Sequence, residues 1–343
     1  MLGYLVRRTL WAAALFVVLT FCTYVLFFLL PTGEVQTQRG LAAESRTIRD
    51  AVPLHGSIFQ EYGQFLWGVV HGQVGTSLRN GRGVNDIVAQ AAPVTAAVVF
   101  GGIVLWLLIS IPIGIVSALR PRSLTDRGLM VFLFIGVSAH PAWLSLMASY
   151  VFGYRLQWFP IAGYCDMFNG AGGTCDGPGA WAYHLILPWT VFAFLFAALY
   201  ARMVRASVIE TLDEDYVRTA RAKGLPEWKV MRSHVLRNAL LPIVTMVGMD
   251  LGIALGGAVF IERVFGLPGL GGLLLTALQR RDLPVMMGVI VYTTLAILIF
   301  NLIVDLLYAV IDPRVRLDRP YEREAVQLKR AGPRPVKVPA TTS

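Results

Sequence analysis

The chain has 343 residues, of which 56% are hydrophobic and only 15% charged, with a formal net charge of +9. Soluble domains carry ~25% charged residues, so a surface this poor in charge excludes an ordinary water-soluble domain. The excess of positive charge is therefore read as a matter of membrane topology, not of nucleic-acid binding.

About 20 apolar residues cross a bilayer. Uncharged runs of 25, 33, 27, 25 and 22 residues follow Arg8, Asp86, Arg127, Asp176 and Asp282, and a sixth run, Leu240–Ile261, is interrupted only by Asp250. The expectation is an all-α polytopic membrane protein with six transmembrane helices in the lipid bilayer. With the N-terminus placed inside, 21 of the 30 Lys and Arg fall on inner segments and 9 on outer ones. That bias predicts a multi-pass protein of the bacterial plasma (inner) membrane with both termini cytoplasmic. No basic patch is left over that needs nucleic acid as a partner.

Residues 1–30 read as an N-terminal anchor helix. Arg7 and Arg8 precede it, but the apolar run is too long for a signal core and no small-x-small site follows. Cys22 is expected to be buried there and inert. Residues 31–93 form an extracytoplasmic segment. Within it Ile58, Phe59, Tyr62, Phe65, Leu66, Val69 and Val70 fall at helical spacing, which predicts one apolar-faced helix over His55–Gly72. Gly72–Val84 is turn-rich, and Asp86–Ala92 is expected to be a short helix ended by Pro93.

Residues 94–312 form the transmembrane core. Val94–Leu119 is its first helix, with a kink expected at Pro112 and Gly114. Leu129–Phe152 is expected to be one continuous span with His140-Pro141 near its middle. A histidine at that depth is neutral or faces a cavity, and a hydrogen-bonded core residue is the favoured reading. Cys165 and Cys175 sit ten apart in a Gly-rich loop on the expected outer side. An oxidising compartment favours a disulfide between them, with two free thiols as the alternative.

Leu185–Met203 is the next span, and the cytoplasmic loop 205–238 follows. Thr211 is expected to cap a helix with Asp213, Glu214 and Asp215 in its first turn, Arg221 and Lys223 in its last, and Gly224 as a left-handed stop. Leu212, Tyr216, Val217 and Ala220 make one apolar stripe on this charged body. Such a stripe needs a partner. A helix lying on lipid carries Lys and Arg along its polar face, whereas this one opens with three acids, so a protein groove fits better.

In the following span Gly248, Gly252 and Gly256 recur every fourth residue and predict close packing by another helix. Asp250 lies nearly opposite that face. It either lines a water-filled path or pairs with another helix; both readings stay open. Gly256–Leu274 ends in a Gly/Pro turn region, Val285–Val310 is the last span, and the charged tail 313–343 is expected to be disordered.

Several of these stretches together resemble ABC importer permeases. Arg218, Thr219 and Ala220 occupy the first three places of the family pattern E-A-A-x-x-x-G, Gly224 its glycine, and His234–Arg237 the I-x-L-P places nine residues on. These departures match the peptide/nickel branch, which reads D-Y-V-R-T-A-R-A-K-G and then H-x-L-R-N-A-L-x-P. Glu262, Phe265, Pro268, Gly269, Gly271, Asp282 and Pro284 fill a second family motif, and Asp305, Tyr308, Asp312, Pro313 and Arg314 a third. The resemblance implies the type I ABC importer permease fold. It also implies that Leu212, Tyr216, Val217, Arg218, Thr219, Ala220, Arg221, Lys223 and Gly224 couple the chain to an ATPase groove. The implied partners are a second homologous permease, two ABC ATPases that bind ATP and Mg, and an extracytoplasmic substrate-binding protein. The implied cargo is a di- or oligopeptide, with nickel or another small solute as the alternative. Asp250, His140, Glu262 and Phe265 are candidates for the translocation path or its gate.

No GxxxxGK[ST], GxSxG or HExxH occurs, and no two of the five His fall three or four apart, so no catalytic residue, metal site or cofactor is expected in this chain. An ATP-independent secondary transporter would predict inverted repeats with paired broken helices, and the sequence shows no such internal similarity.

Overall fold

The computed structural model describes residues 2–29, 58–167 and 177–311; among them every extended element is helical. The expected tail 313–343, Cys175, and Asp312, Pro313 and Arg314 of the third motif lie outside the described residues.

Helix α1 (Leu2–Leu29) packs on the last helix and on α2 (Ile58–Val70). Only one stripe of α1 is covered. Thr20 is fully buried and shares a hydrogen bond with the Tyr62 hydroxyl at 2.8 Å, while Cys22 is exposed, contrary to expectation. A helix at the edge of a bundle buries one face and leaves the rest to its surroundings.

Helix α3 spans Val84–Leu119 without a break at Pro93 or Pro112. The expected short helix Asp86–Ala92 and the span behind it are thus one 36-residue element, about 54 Å long at 1.5 Å per residue. Pro93 removes one backbone donor, but Val94, Thr95 and Val98 are buried beside it, and their packing holds the helix through the defect. The partner of α3 is α6 (Gly177–Leu212), also 36 residues, and this pair is the spine of the fold. Three glycines let the two backbones approach: a Cβ on Gly101 would overlap the Trp189 ring, one on Gly102 would lie 2.8 Å from Phe192, and one on Gly114 2.6 Å from Val204. The Trp189 indole then reaches across to donate to the Ala97 carbonyl at 2.9 Å.

The expected span Leu129–Phe152 is broken. Helix α4 (Leu124–Ser138) and helix α5 (Pro141–Ala148), which continues through a π-helical turn Ser149–Arg155, meet at 107°. Pro141 is the cause, because proline drives the residue before it out of helical geometry. His140 takes φ −69° and ψ 140°, and its Nδ1 caps α5 by accepting from the Ala142 amide at 3.2 Å. It is exposed, not a core residue, and its ring meets Phe260 edge-on at 4.9 Å.

Beyond α6 come α7 (Asp215–Ala222) and α8 (Glu227–Val230), then a π-helical turn (Met231–Val235) and α9 (Leu236–Ala239). These lead into α10 (Leu241–Val264), α11 (Leu270–Arg280) and α12 (Leu283–Ile311). Among the described residues four stretches are long and apolar enough to cross a membrane: α3, α6, Glu227–Val264 and Leu283–Val304. The bent α4–α5 pair makes a fifth.

Candidate functional site

Two regions at opposite ends of the bundle carry the unusual polar architecture. The first is the hairpin α7–α9. Helix α6 runs on through Leu212, so Thr211 caps nothing; its hydroxyl donates back to Ser207 at 2.7 Å. Helix α7 starts four residues later with Glu214 in the cap position and Asp215 in its first turn. The expected apolar stripe divides. Val217 is 0% exposed and Ala220 5%, both packed inward in the same cluster as Val230, Val235 and Ala239, with Leu212 against it. Tyr216 stays 40% exposed, its hydroxyl accepting from Asn238 at 2.8 Å. Arg218, Thr219 and Lys223 are exposed as well. The stripe is therefore largely consumed by the chain's own core, and what α7 and its start offer outward is one tyrosine among exposed acids (Asp213, Glu214, Asp215) and cations (Arg218, Lys223).

Two devices fix the hairpin angle. Arg221 grips Glu227 through Nε at 2.8 Å and Nη2 at 3.3 Å, tying α7 to α8. Gly224 takes φ +75°, a left-handed turn that sends the chain back, and the Leu225 amide closes α7 on the Ala220 carbonyl at 3.4 Å. Just above, α6 is tied to the turn between α3 and α4. Asp126, 6% exposed, accepts from Arg205 Nε at 3.1 Å and Nη2 at 3.0 Å, from the Arg122 amide at 2.9 Å and from the Ser117 hydroxyl. The sequence reading missed this pair; the signal was present as Ser123, three residues before Asp126, whose side chain caps α4.

The second region is the far end of α10. Glu262 is 0% exposed and accepts from Thr95 Oγ1 at 2.6 Å and from the Gly271 and Gly272 amides at 2.8 and 3.1 Å. Thr95 in turn accepts from the Leu270 amide at 2.7 Å. A carboxylate placed on the first amides of α11 uses the positive end of that helix. Phe265 is 2% exposed. Glu262 braces the joint between α3, α10 and α11 and borders the cavity that opens there, while Phe265 packs into the core beside it. The Gly163 amide donates to the Phe265 carbonyl at 3.0 Å, so the loop after α5 rests on the same joint. A cavity of about 1250 Å³ opens here, with Gln90, Tyr164, Asp166, Trp181 and Arg263 in its wall. Cys165 beside it is buried and disulfide-bonded, with its sulfur 3.2 Å from His184 Nδ1.

Between the two ends, Gly248 and Gly252 face α12: a Cβ on Gly248 would overlap Val304, and one on Gly252 would lie 3.7 Å from Ile297. Gly256 faces open space, with no described residue within 4 Å of a Cβ placed there. Asp250 accepts from the fully buried Tyr200 hydroxyl at 2.8 Å, which links α10 to α6. Among the described residues no group of three His, Cys, Asp or Glu is placed to hold a metal ion.

Residues 110–317 match the family model described as the binding-protein-dependent transport system inner membrane component, and residues 1–99 match that of its N-terminal region. The chain belongs to this family. The permease is 34% identical over 321 residues to a Brucella abortus (strain 2308) protein named for a peptide transport system permease, covering 93% of this chain and all of that one. It is also 34% identical to the oligopeptide transport system permease protein AppB of Bacillus subtilis (strain 168), over 92% and 99% of the two chains. A solved structure of the MetNI methionine ABC transporter, titled for its inward-facing conformations, shares the permease's fold with a TM-score of 0.53 at 17% identity, covering 66% of this chain and 96% of that one.

Proposed function

We propose that this permease is one of two homologous membrane subunits of an ATP-driven importer of di- or oligopeptides. It would work with two ABC ATPases, which bind ATP and Mg, and with an extracytoplasmic binding protein. The peptide cargo rests on the relatives, which are named for peptide and oligopeptide transport. Counting α1, six helices cross the membrane, with the hairpin α7–α9 and both termini in the cytoplasm. The Glu262 joint lies at the outer surface beside a loop closed by a Cys165–Cys175 disulfide.

The observation that carries the ATPase reading is the hairpin itself. It is braced internally by Arg221–Glu227 and the Gly224 turn, and it is continuous with α6 on one side and with α10 on the other. A rigid piece presenting Tyr216 among exposed charges of both signs, and joined to two membrane-crossing helices, can carry a displacement imposed from outside the membrane into the bundle. Closure of the ATPase dimer on ATP would supply that displacement.

Reconstitution of the permease with its second permease, ATPases and binding protein in liposomes tests the reading. Peptide uptake is expected only with ATP inside the cytoplasmic-face compartment, and Tyr216→Asp is expected to abolish co-purification of the ATPase. Uptake that continues without nucleotide overturns it.

A further inference from the structure

Among the described residues Asp250 is an acid without a cation. It sits half-buried within α10, and Tyr200 is its one hydrogen-bond partner among the described residues. None of the ion pairs there involves it. Tyr200 is fully buried, its ring 5.6 Å from Trp106, so the carboxylate is held through Oδ2 from the packed side of the bundle while Oδ1 receives no hydrogen bond.

The other side of α10 is open. Met249 is 71% exposed, Ile253 64% and Phe260 44%, and a Cβ on Gly256 would meet nothing within 4 Å. These four positions recur at i, i+4, i+7 and i+11 and form one stripe. Asp250 stands about 60° round the helix from Ile253, at the margin of that stripe. An ionised carboxylate in a membrane-spanning helix is unfavourable unless a cation or a water-filled path meets it. Here the fold supplies a carboxylate oriented from behind, apolar side chains ahead of it, and a gap at Gly256.

We infer that Asp250 is the site on the translocation path that takes the free α-ammonium group of a peptide, with the peptide's apolar side chains lying along Met249, Ile253 and Phe260. An ammonium offers three donors and no acceptor, which suits a carboxylate oxygen left without a partner. Tyr200 is a positioning residue that fixes the carboxylate. This inference rests on the peptide-import reading above.

The test uses the assembled importer in liposomes with saturating binding protein loaded with trialanine, following both uptake and ATP turnover. Asp250→Asn removes one charge-assisted hydrogen bond and is expected to lower uptake about tenfold, while ATP turnover stimulated by the loaded binding protein stays at the wild-type rate. Asp250→Glu is expected to restore most of the uptake, and Tyr200→Phe, which keeps the charge but frees its orientation, to lose less than Asp250→Asn. Wild-type uptake in Asp250→Asn overturns the inference. So does failure of Asp250→Asn to assemble with the second permease, since the acid would then belong to an ion pair between subunits. A wild-type complex that turns over ATP but moves no trialanine overturns the peptide reading, and this inference with it.

Discussion

Ser77 and Asp282, 205 residues apart in the chain, share a hydrogen bond that fastens the turn ahead of α3 to the joint between α11 and α12. Asp282 is 5% exposed and also accepts from the Leu78 amide at 3.2 Å, while Arg79 Nε donates to the Arg280 carbonyl at 3.0 Å. The glycine-rich stretch is held in shape by the Val84 amide on the Gly75 carbonyl and by a bridge between Thr76 and Gly83. Asp282→Ala leaves the Leu78 amide without its acceptor and the Ser77 hydroxyl with Asn80 Oδ1 alone, at a cost of roughly 1–3 kcal/mol. The expected result is a lower Tm in detergent and faster protease cleavage between Gly72 and Gly83. Asp282→Asn, which keeps an acceptor oxygen, should fall between the two. An unchanged cleavage rate in Asp282→Ala would show that the turn is held by other contacts.

Arg205 and Asp126 make a buried, forked ion pair whose side chains are 29% and 8% exposed. Removing one partner of such a pair strands the other, and the loss is typically 3–5 kcal/mol, less here because Arg205 retains contact with solvent. Asp126→Ala also orphans the Ser117 hydroxyl and the Arg122 amide, whereas Arg205→Ala leaves those two bonds to Asp126 intact. Asp126→Ala is therefore expected to be the more damaging of the two in a thermal-stability assay. The exchanged pair Asp126→Arg with Arg205→Asp should recover only part of the loss, because an arginine at 126 cannot accept from Ser117 or Arg122. Full recovery would mean that the two extra hydrogen bonds contribute nothing.

Much of the bundle was legible because a bilayer forces consecutive apolar residues, and the runs ending at Leu119, Ala201 and Val304 map onto α3, α6 and α12. Breaks were not legible. Prolines at 93, 112 and 188 lie inside continuous helices, while Pro141 divides one. The local chemistry is the same each time, and packing between distant helices decides the outcome. Glycine spacing revealed the contacts of Gly248 and Gly252 with α12, because both fall on one regular stripe. It did not reveal Gly101, Gly102 and Gly114, whose irregular spacing marks the close approach of α3 to α6. The amphipathic pattern over Leu212–Ala220 predicts one stripe, but a pattern cannot say which of its members faces the chain's own core, as Val217 and Ala220 do, and which stays outside, as Tyr216 does. The polar pairs Thr95–Glu262 and Tyr200–Asp250 join residues 167 and 50 positions apart, beyond any local signal.

Glu262 is a sharp case for a substitution that changes one atom. Its carboxylate accepts from a hydroxyl and two amides, all of them donors. In Glu262→Gln the carboxamide oxygen can keep the two glycine amides, but the nitrogen then faces Thr95, whose hydroxyl must turn from donor to acceptor, and the charge that strengthens all three bonds is lost. Hydrogen bonds to a charged group are worth about 1.5–3 kcal/mol each, and the expected destabilisation is of that order. Hydrogen–deuterium exchange should rise selectively at residues 269–273, the start of α11, before any global loss of protection. If exchange there is unchanged, the carboxylate is not what orders that helix start.

Gly224 offers the cleanest separation of strain from packing. Its φ of +75° is one that side-chain-bearing residues adopt at a cost of about 1–2 kcal/mol, and a Cβ there would meet nothing within 4 Å. Substitutions therefore act through the backbone alone. Gly224→Asn, which tolerates left-handed geometry better than other residues, should keep most ATP-driven uptake. Gly224→Ala should keep less, and Gly224→Val, branched at Cβ, least. All three are expected to reach the membrane in similar amounts, since the buried side chains of the hairpin are untouched. The readout is the ratio of peptide taken up to ATP hydrolysed in proteoliposomes, which should fall in the order Asn, Ala, Val. Equal ratios across the series would mean that the angle between α7 and α8 does not transmit the ATPase motion.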